Sequence, residues 1–144
     1  MKHLITLSSV LALSLTACTS VQVKPLDSSL VVSKVCIEEN EKVIVPQFLE
    51  IVRSGFDRHG IASEVFPSKP PASCGVVLTY TALRKWDFVP FLSHAELWLR
   101  DQNGKQVGYA EYHLTGGGGF DFSKWASTES KMNPVIDQLL SGYK

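Results

Sequence analysis

The sequence lacks the short motifs that mark the common catalytic chemistries. It contains no Gly-x-Ser-x-Gly, no His-Glu-x-x-His and no Cys-x-x-Cys, which are signatures of serine hydrolases, zinc metalloproteases and thiol–disulfide oxidoreductases. The glycine run Gly116–Gly119 is not followed by the Gly-Lys-Ser/Thr ending of a phosphate-binding loop, so we expect a hinge or a β-bulge there. We therefore predict that the protein is not an enzyme and carries no cofactor.

Excess charge of one sign is also missing. The chain has 14 Lys+Arg and 14 Asp+Glu, with a formal net charge of zero. Because phosphate backbones are bound by clusters of Lys and Arg, the absence of a basic run argues against nucleic acid as a partner. The apolar content of 44% is high enough for a packed core.

The longest apolar run is too short to cross a membrane. It extends from Leu4 to Leu15 behind the positive Lys2, whereas a membrane-spanning helix needs about 20 residues. This length is typical of the apolar region of a signal peptide. The run ends in Leu-Thr-Ala before Cys18, which resembles the lipobox of bacterial lipoproteins. The alternative is an ordinary signal peptide, cut for instance after Ser14.

The lipobox resemblance implies an address and a membrane partner. Residues 1–17 would be removed, and Cys18 would carry a diacylglycerol and an acylated amino terminus, with palmitate among the chains. In lipoproteins of enteric-type bacteria, an Asp directly after the lipidated cysteine resembles a signal for retention in the inner membrane. This sequence has Thr19 at that position, so we expect the protein to be anchored in the outer membrane with its domain facing the periplasm. Exposure on the cell surface is the alternative. Residues 18–29 are expected to form a lipidated tether and residues 30–144 one domain.

Cysteine is scarce, and its count is informative. Of three cysteines, Cys18 is assigned to lipid, which leaves Cys36 and Cys74. An even pair in an oxidising compartment predicts a disulfide. The alternative is two free buried thiols.

The apolar patterns predict an α+β domain with a single mixed or antiparallel sheet and two helices. The predicted order is β-α-β-β-β-β-α, which gives five strands. The predicted strands are Leu30–Glu38, Ile61–Phe66, Gly75–Lys85, Ser93–Arg100 and Lys105–Thr115. One helix is predicted over Pro46–His59, stopped by Gly60, and the other begins between Ser127 and Pro134, with Pro134 either opening or kinking it.

The disulfide and the crossover rule suggest how the strands are arranged. We expect the first and third predicted strands to be antiparallel neighbours, because Cys36 ends one and Cys74 begins the other. A right-handed crossover places the second strand on the other side of the first, giving the order 2-1-3-4-5 with both helices on one face. This arrangement resembles small periplasmic assembly domains such as the amino-terminal domain of the Tol translocation protein.

Asn103-Gly104 predicts a two-residue type I′ turn between the last two strands. In that register His94 faces His113, and Glu96 faces Glu111, which is a donor set that suits a divalent ion. A four-residue loop would instead place His94 opposite Glu111 on an ordinary solvated face. We favour the second interpretation and predict no metal site.

Aromatic residues provide the candidate partner surface. Trp98 and Tyr109 are predicted on the sheet face without helices, where an envelope protein partner would bind; the alternative is that the tether or the Gly116–Trp125 loop covers them. Two loops hold further aromatics that either close the core or grip a peptide, glycan or lipid. These are Trp86, Phe88, Phe91, Phe120, Phe122 and Trp125.

Several short stretches together look like a small family of uncharacterised proteobacterial lipoproteins, across most of the chain after Cys18. Besides the lipobox, they are Val35–Asn40, Leu78–Ala82 with Trp86-Asp87, Gly108–Tyr112 and Lys124-Trp125. The family implies no activity. The leading hypothesis is a lipid-anchored binding or scaffold protein, and the alternative is a periplasmic small-ligand or metal-binding module.

Overall fold

A computed structural model describes residues 19–116 and 122–144. It confirms the predicted α+β class, with one mixed sheet and two helices. In chain order the elements are β1 (Thr19–Lys24), β2 (Lys34–Glu38), α1 (Phe48–Arg58), β3 (Ala62–Phe66), β4 (Val76–Asp87), β5 (Val89–Asp101), β6 (Gln106–Leu114), a 3₁₀ turn (Phe122–Trp125) and α2 (Thr128–Leu139). No helix in these two ranges is both long and apolar enough to cross a bilayer.

The sheet has six strands in the order β1-β6-β5-β4-β2-β3. The order predicted for the five expected strands is found, but the predicted direction of one pair is wrong, since β2 and β4 are parallel. Cys36 lies opposite Val77 within that pair, and its Cα is 6.1 Å from the Cα of Cys74. The two cysteines are bonded, as predicted, although the bond lies beside a parallel pair.

The sixth strand comes from within the predicted tether, residues 18–29. Thr19–Lys24 pairs antiparallel with β6 along its whole length. The chain then passes to the helical side, where the amide of Leu26 donates to the carbonyl of Leu139 and the amide of Asp27 donates to that of Val107. A bare β6 would present unpaired N–H and C=O groups, and the alternation around Val21 and Val23 suits an edge strand that covers them.

Both helices pack on one face of the sheet and against each other. At Gly108 a Cβ would lie 3.4 Å from Leu139 Cδ1 and 3.2 Å from the Cα of Leu26. The small residue is therefore needed for the close approach of α2 and the chain after β1. The largest buried side chains of the core include Phe48, Phe56, Ile37, Leu78, Leu97, Leu99, Met132 and Ile136.

The helix boundaries differ slightly from the predicted ones. α1 begins at Phe48 and not at Pro46, because Gln47 has a positive φ of 58°. It ends at Arg58, one residue before the predicted His59. Gly60 stops it as predicted: the amide of Ile61 donates to the carbonyl of Phe56 and that of Gly60 to the carbonyl of Asp57, which is the Schellman pattern.

Helix α2 begins at Thr128, with the Ser127 hydroxyl accepting from the amide of Ser130. Pro134 therefore lies inside the helix and does not open it. Of the two starts left open by the sequence, the structure shows the earlier one, because a capping serine outweighs the proline.

Candidate functional site

The β5–β6 hairpin has the register expected for a two-residue turn, so the favoured interpretation, which placed His94 opposite Glu111, is wrong. The turn itself is nevertheless not the predicted type I′. Leu99 lies opposite Gly108, and His94 opposite His113. Only Gly104 has a positive φ in the turn, and the amide of Gly104 donates to the carbonyl of Asp101, so the loop is a type I turn with a left-handed glycine, not type I′. An irregularity after Leu99 restores the predicted pairing beyond the turn.

This register gathers two histidines and two glutamates on the sheet face without helices. His94 Nδ1 lies 3.1 Å from His113 Nδ1 and 3.8 Å from Glu111 Oε1. On the other side of the ring, His94 Nε2 lies 3.3 Å from Glu96 Oε2. We name His94, His113, Glu96, Glu111 and Tyr109 the hairpin cluster. Three of its members, His94, Glu96 and Glu111, meet the geometric requirement for a shared cation.

Tyr109 bridges the two carboxylates of the cluster. Its hydroxyl donates to Glu96 Oε1 at 2.7 Å and lies 3.3 Å from Glu111 Oε2. Glu96 and Glu111 are directly opposite across the strands, where like charges repel. Burial, the hydrogen bond to Glu96 and the two negative charges raise the pKa of the Tyr109 phenol well above its usual range.

The predicted partner surface lies beside this cluster. Trp98 pairs with Tyr109, with ring centroids 6.1 Å apart, and both side chains are partly exposed. Arg100 Nη1 donates to Thr79 Oγ1 on the same face. The face is thus more polar than predicted, and its two large aromatics pack on each other.

The most exposed aromatics lie at the tip of the β4–β5 hairpin. Trp86 is 74% exposed and Phe88 84% exposed, and Phe122 beside them is 72% exposed. Phe88 also has a positive φ of 59°, which is a strained conformation for a bulky residue. We name Trp86, Phe88, Val89 and Phe122 the aromatic tip.

Hydrogen bonds and ion pairs hold the tip to the 3₁₀ turn. The Trp125 indole donates to the carbonyl of Asp87 at 2.9 Å, and the buried Lys124 ammonium pairs with the Asp87 carboxylate. The centroid of the Trp125 ring lies 6.5 Å from that of Phe88 and 5.7 Å from that of Phe122. The aromatic tip therefore projects from the sheet but is held in place by contacts with the 3₁₀ turn.

The loop aromatics divide between the two predicted roles. Phe91 is buried in the core, whereas the aromatic tip is exposed; Phe120 lies outside the described residues. Trp125 lines a half-open cavity of about 290 Å³ with Pro46, Ile51 and Phe91. Trp86 is not among its lining residues.

Four predicted features lie outside the described residues: the signal peptide 1–17, Cys18, Gly117–Gly119 of the glycine run, and Phe120. The chain is first described at Thr19, which lies opposite Leu114. The next residue, Ser20, pairs with His113 of β6, which pairs with His94 of β5, which in turn pairs with Leu83 of β4. These four residues form one row across the sheet. Because the β4–β5 hairpin continues past Leu83 to its tip at Phe88, Thr19 lies at the end of the sheet from which the aromatic tip projects.

Comparison with solved structures shows the fold alone. The PelC dodecamer from Paraburkholderia phytofirmans is similar with a TM-score of 0.57 and 15% identity, over 87% of this chain and 98% of that chain. A point variant of the same dodecamer has a TM-score of 0.51 and 15% identity, over 82% of this chain and 97% of that chain. A minor lipoprotein from Acinetobacter baumannii has a TM-score of 0.34 and 15% identity, over 76% of this chain and 86% of that chain. No protein-family model and no curated protein matches the sequence.

Sequence reasoning predicts neither the hydrogen-bonding role of Tyr109 nor the partners of Asp87. Tyr109 is predicted only as an aromatic of the partner surface, although strand alternation places it on the same face as Glu111, two residues on. Asp87 is named only within the family resemblance, because its partners Lys124 and Trp125 are distant in sequence. The positive φ of Phe88 has no local signal, because glycine and asparagine are the residues that normally occupy such positions.

Proposed function

We propose that this chain is a non-enzymatic, lipid-anchored protein of the bacterial outer membrane that faces the periplasm and binds or scaffolds another envelope component. We further propose that the aromatic tip seats the domain on the bilayer. One observation carries the proposal: Thr19, the residue after the candidate lipid site Cys18, lies at the same end of the sheet as the aromatic tip.

The position of β1 limits how far the domain can move from its lipid. With acyl chains on Cys18, the first paired residue of the sheet follows at once, so no spacer of the expected tether remains between lipid and domain. The sheet end that carries Thr19 must then face the bilayer surface. Strand β4 continues beyond the row that contains Leu83 by four residues, Arg84–Asp87. At about 3.3 Å per residue, the aromatic tip therefore projects roughly 13 Å past that row.

The composition of the tip suits the interface of a bilayer. Tryptophan is enriched at the depth of the lipid headgroups, and basic residues favour anionic lipids. Arg84 and Lys85 directly precede Trp86, and all three are exposed. The strained Phe88 supports the same role, because backbone strain that persists at an exposed residue is typical of functional positions.

The hairpin cluster and Trp98 then face sideways, along the membrane surface. Strands that stand on the bilayer present their uncovered face to neighbouring proteins, which is where an envelope partner would bind. A second copy of the chain is the specific alternative, since the similar PelC structures are dodecamers. Light scattering on the detergent-solubilised protein distinguishes a dodecamer from a monomer, and crosslinking from probes at Trp98 or Tyr109 in cells tests for a partner.

Membrane seating is tested by fluorescence quenching in proteoliposomes that contain brominated lipids. We expect quenching of the tryptophan emission that is reduced by Trp86→Phe and retained in the matched variant Trp98→Phe, with a remainder in both from Trp125 beside the tip. Equal quenching in the two variants would contradict the seating. In Phe88→Gly the positive φ is no longer strained, so the melting temperature should rise. The same change removes an aromatic side chain from the tip, so less of the tip should contact lipid.

The anchor is tested separately. Cells fed labelled palmitate should incorporate it into the wild-type chain and not into Cys18→Ser, and the variant should appear in the soluble periplasmic fraction. Incorporation into Cys18→Ser would rule out Cys18 as the lipid site.

A further inference from the structure

We infer that the hairpin cluster is a binding site for a divalent transition-metal ion of the zinc class. In this site His94 Nδ1, His113 Nδ1 and Glu111 are the ligands, while Glu96 and Tyr109 hold them in place. The residues whose donor atoms already lie within 4.8 Å of one another are His94, Glu96 and Glu111, so the His113 ring has to turn toward Glu111 when the ion binds. The site is independent of the membrane seating proposed above, because it lies on the sheet face and not at the aromatic tip.

The distance between the two histidines is the first argument. Two imidazole nitrogens 3.1 Å apart require a proton or a cation between their lone pairs. Ligands of a tetrahedral zinc ion with Zn–N distances of 2.0–2.1 Å are about 3.3 Å apart. The nitrogen pair already has nearly this spacing, and Glu111 Oε1 at 3.8 Å from His94 Nδ1 approaches it.

The second argument is the partner of the remaining nitrogen of His94. Glu96 Oε2 lies 3.3 Å from His94 Nε2, so the carboxylate accepts the Nε2 proton and leaves the lone pair on Nδ1. Nδ1 is the nitrogen that faces both His113 and Glu111. A carboxylate that fixes the tautomer of a ligating histidine is a recurrent feature of metal sites.

The third argument is charge. Two glutamates, each with about a quarter of the side chain exposed, lie directly opposite one another with a shared phenol as donor. No Lys or Arg forms an ion pair with either of them within the described residues. A divalent cation between Glu111 and the histidines would relieve this repulsion.

The donor set selects the class of ion. Mg²⁺ and Ca²⁺ prefer all-oxygen sites, whereas two imidazoles with one carboxylate suit zinc and its neighbours. Three protein ligands leave a fourth position for water or for a side chain of a partner. The ligands stand on β5 and β6, which are flanked by β4 and β1, so the scaffold of the site is rigid.

The site is tested by calorimetric titration of zinc chloride into the full chain, purified in detergent without a histidine tag and stripped with a chelator. We expect one equivalent to bind and the melting temperature to rise with zinc. Cobalt chloride should give visible absorption bands of a four-coordinate ion. No heat with zinc, or cobalt bands of a hexaaqua ion only, would overturn the inference.

Variants separate the site from incidental binding. His94→Ala and the exposed His113→Ala should each lower the affinity at least tenfold, with unchanged circular dichroism in the absence of metal. Glu96→Gln should lower it about tenfold but keep the cobalt bands. The control His59→Gln alters a histidine bonded to Asp137 and Tyr143 on the helical side and should bind as the wild type does; an equal loss in this control would contradict the assignment.

Discussion

Thr19 lies opposite Leu114, the last residue of β6. The first described residue of the chain is therefore part of the sheet and not of a linker. This pairing fixes Thr19, the residue after the candidate lipid site, at one end of the sheet.

Loss of the Cys36–Cys74 bond should destabilise the domain. The bond closes a loop with a sequence separation of 38, for which the chain-entropy model gives about 4 kcal/mol. We expect Cys36→Ala/Cys74→Ala to lower the free energy of unfolding by about that amount in urea. The oxidised protein should show no thiol other than that of an unmodified Cys18 when it is unfolded; two further titratable thiols would contradict the bond.

Gly55→Ala should destabilise the contact between the helices. A Cβ at Gly55 would lie 2.5 Å from Cγ2 of the fully buried Ile136. Overpacking of this kind costs about 1–3 kcal/mol, which exceeds the gain of about 1 kcal/mol from replacing glycine in a helix. Thermal denaturation should show a lower melting temperature. Gly75→Ala, where no atom lies within 4 Å, is the control and should change little.

The hairpin cluster should make stability depend on alkaline pH. Because burial and Glu96 raise the pKa of Tyr109 in the folded state, the folded chain keeps a proton that the unfolded chain loses. This contribution is complete below about pH 10, the ordinary pKa of tyrosine, and is lost as the pH rises further. The free energy of unfolding should fall more steeply above pH 10 in the wild type than in Tyr109→Phe. Parallel curves would contradict the bridge.

Asp137 should influence stability at the acid end. Burial opposes ionisation of its carboxyl, but hydrogen bonds from His59 and Arg58 outweigh this and lower its pKa. A lowered pKa stabilises the fold above the ordinary value near 4, and this stabilisation is lost as the pH falls below it. Asp137→Asn should therefore flatten the acid limb of the stability curve. The exposed Asp57→Asn on α1 should leave the limb unchanged.

Side-chain alternation predicts much of the fold. Leu97 and Leu99 opposite Ala110 and Gly108 require a covering helix, and the structure places α2 there. Since one face is buried, a slip by one residue would turn every apolar side chain outward, so the register is preserved even though the turn at Gly104 is of another type.

Other features depend on contacts that a sequence pattern does not contain. A disulfide brings Cys36 and Cys74 together without fixing the direction of the strands, and the parallel pairing of β2 with β4 could not be derived from it. Residues 19–24 alternate as a strand does, but Pro25 and Asp27 resemble a linker. The strand register alone predicts that His94, His113, Glu96 and Glu111 lie together. The hydrogen bonding of Tyr109 to the two glutamates depends on its side-chain rotamer, which the sequence pattern does not specify.

The pairing of β1 with β6 also sets an order of assembly. A ribosome makes the amino-terminal strand first, yet Thr19 has no partner until Leu114 has been synthesised. Contacts between such distant parts of a chain form late in folding. Until then β6 has a bare edge that can recruit strands from other molecules. The segment beside the candidate anchor thus closes the domain last, and a chain truncated before Gln106 would leave β1 without its partner strand.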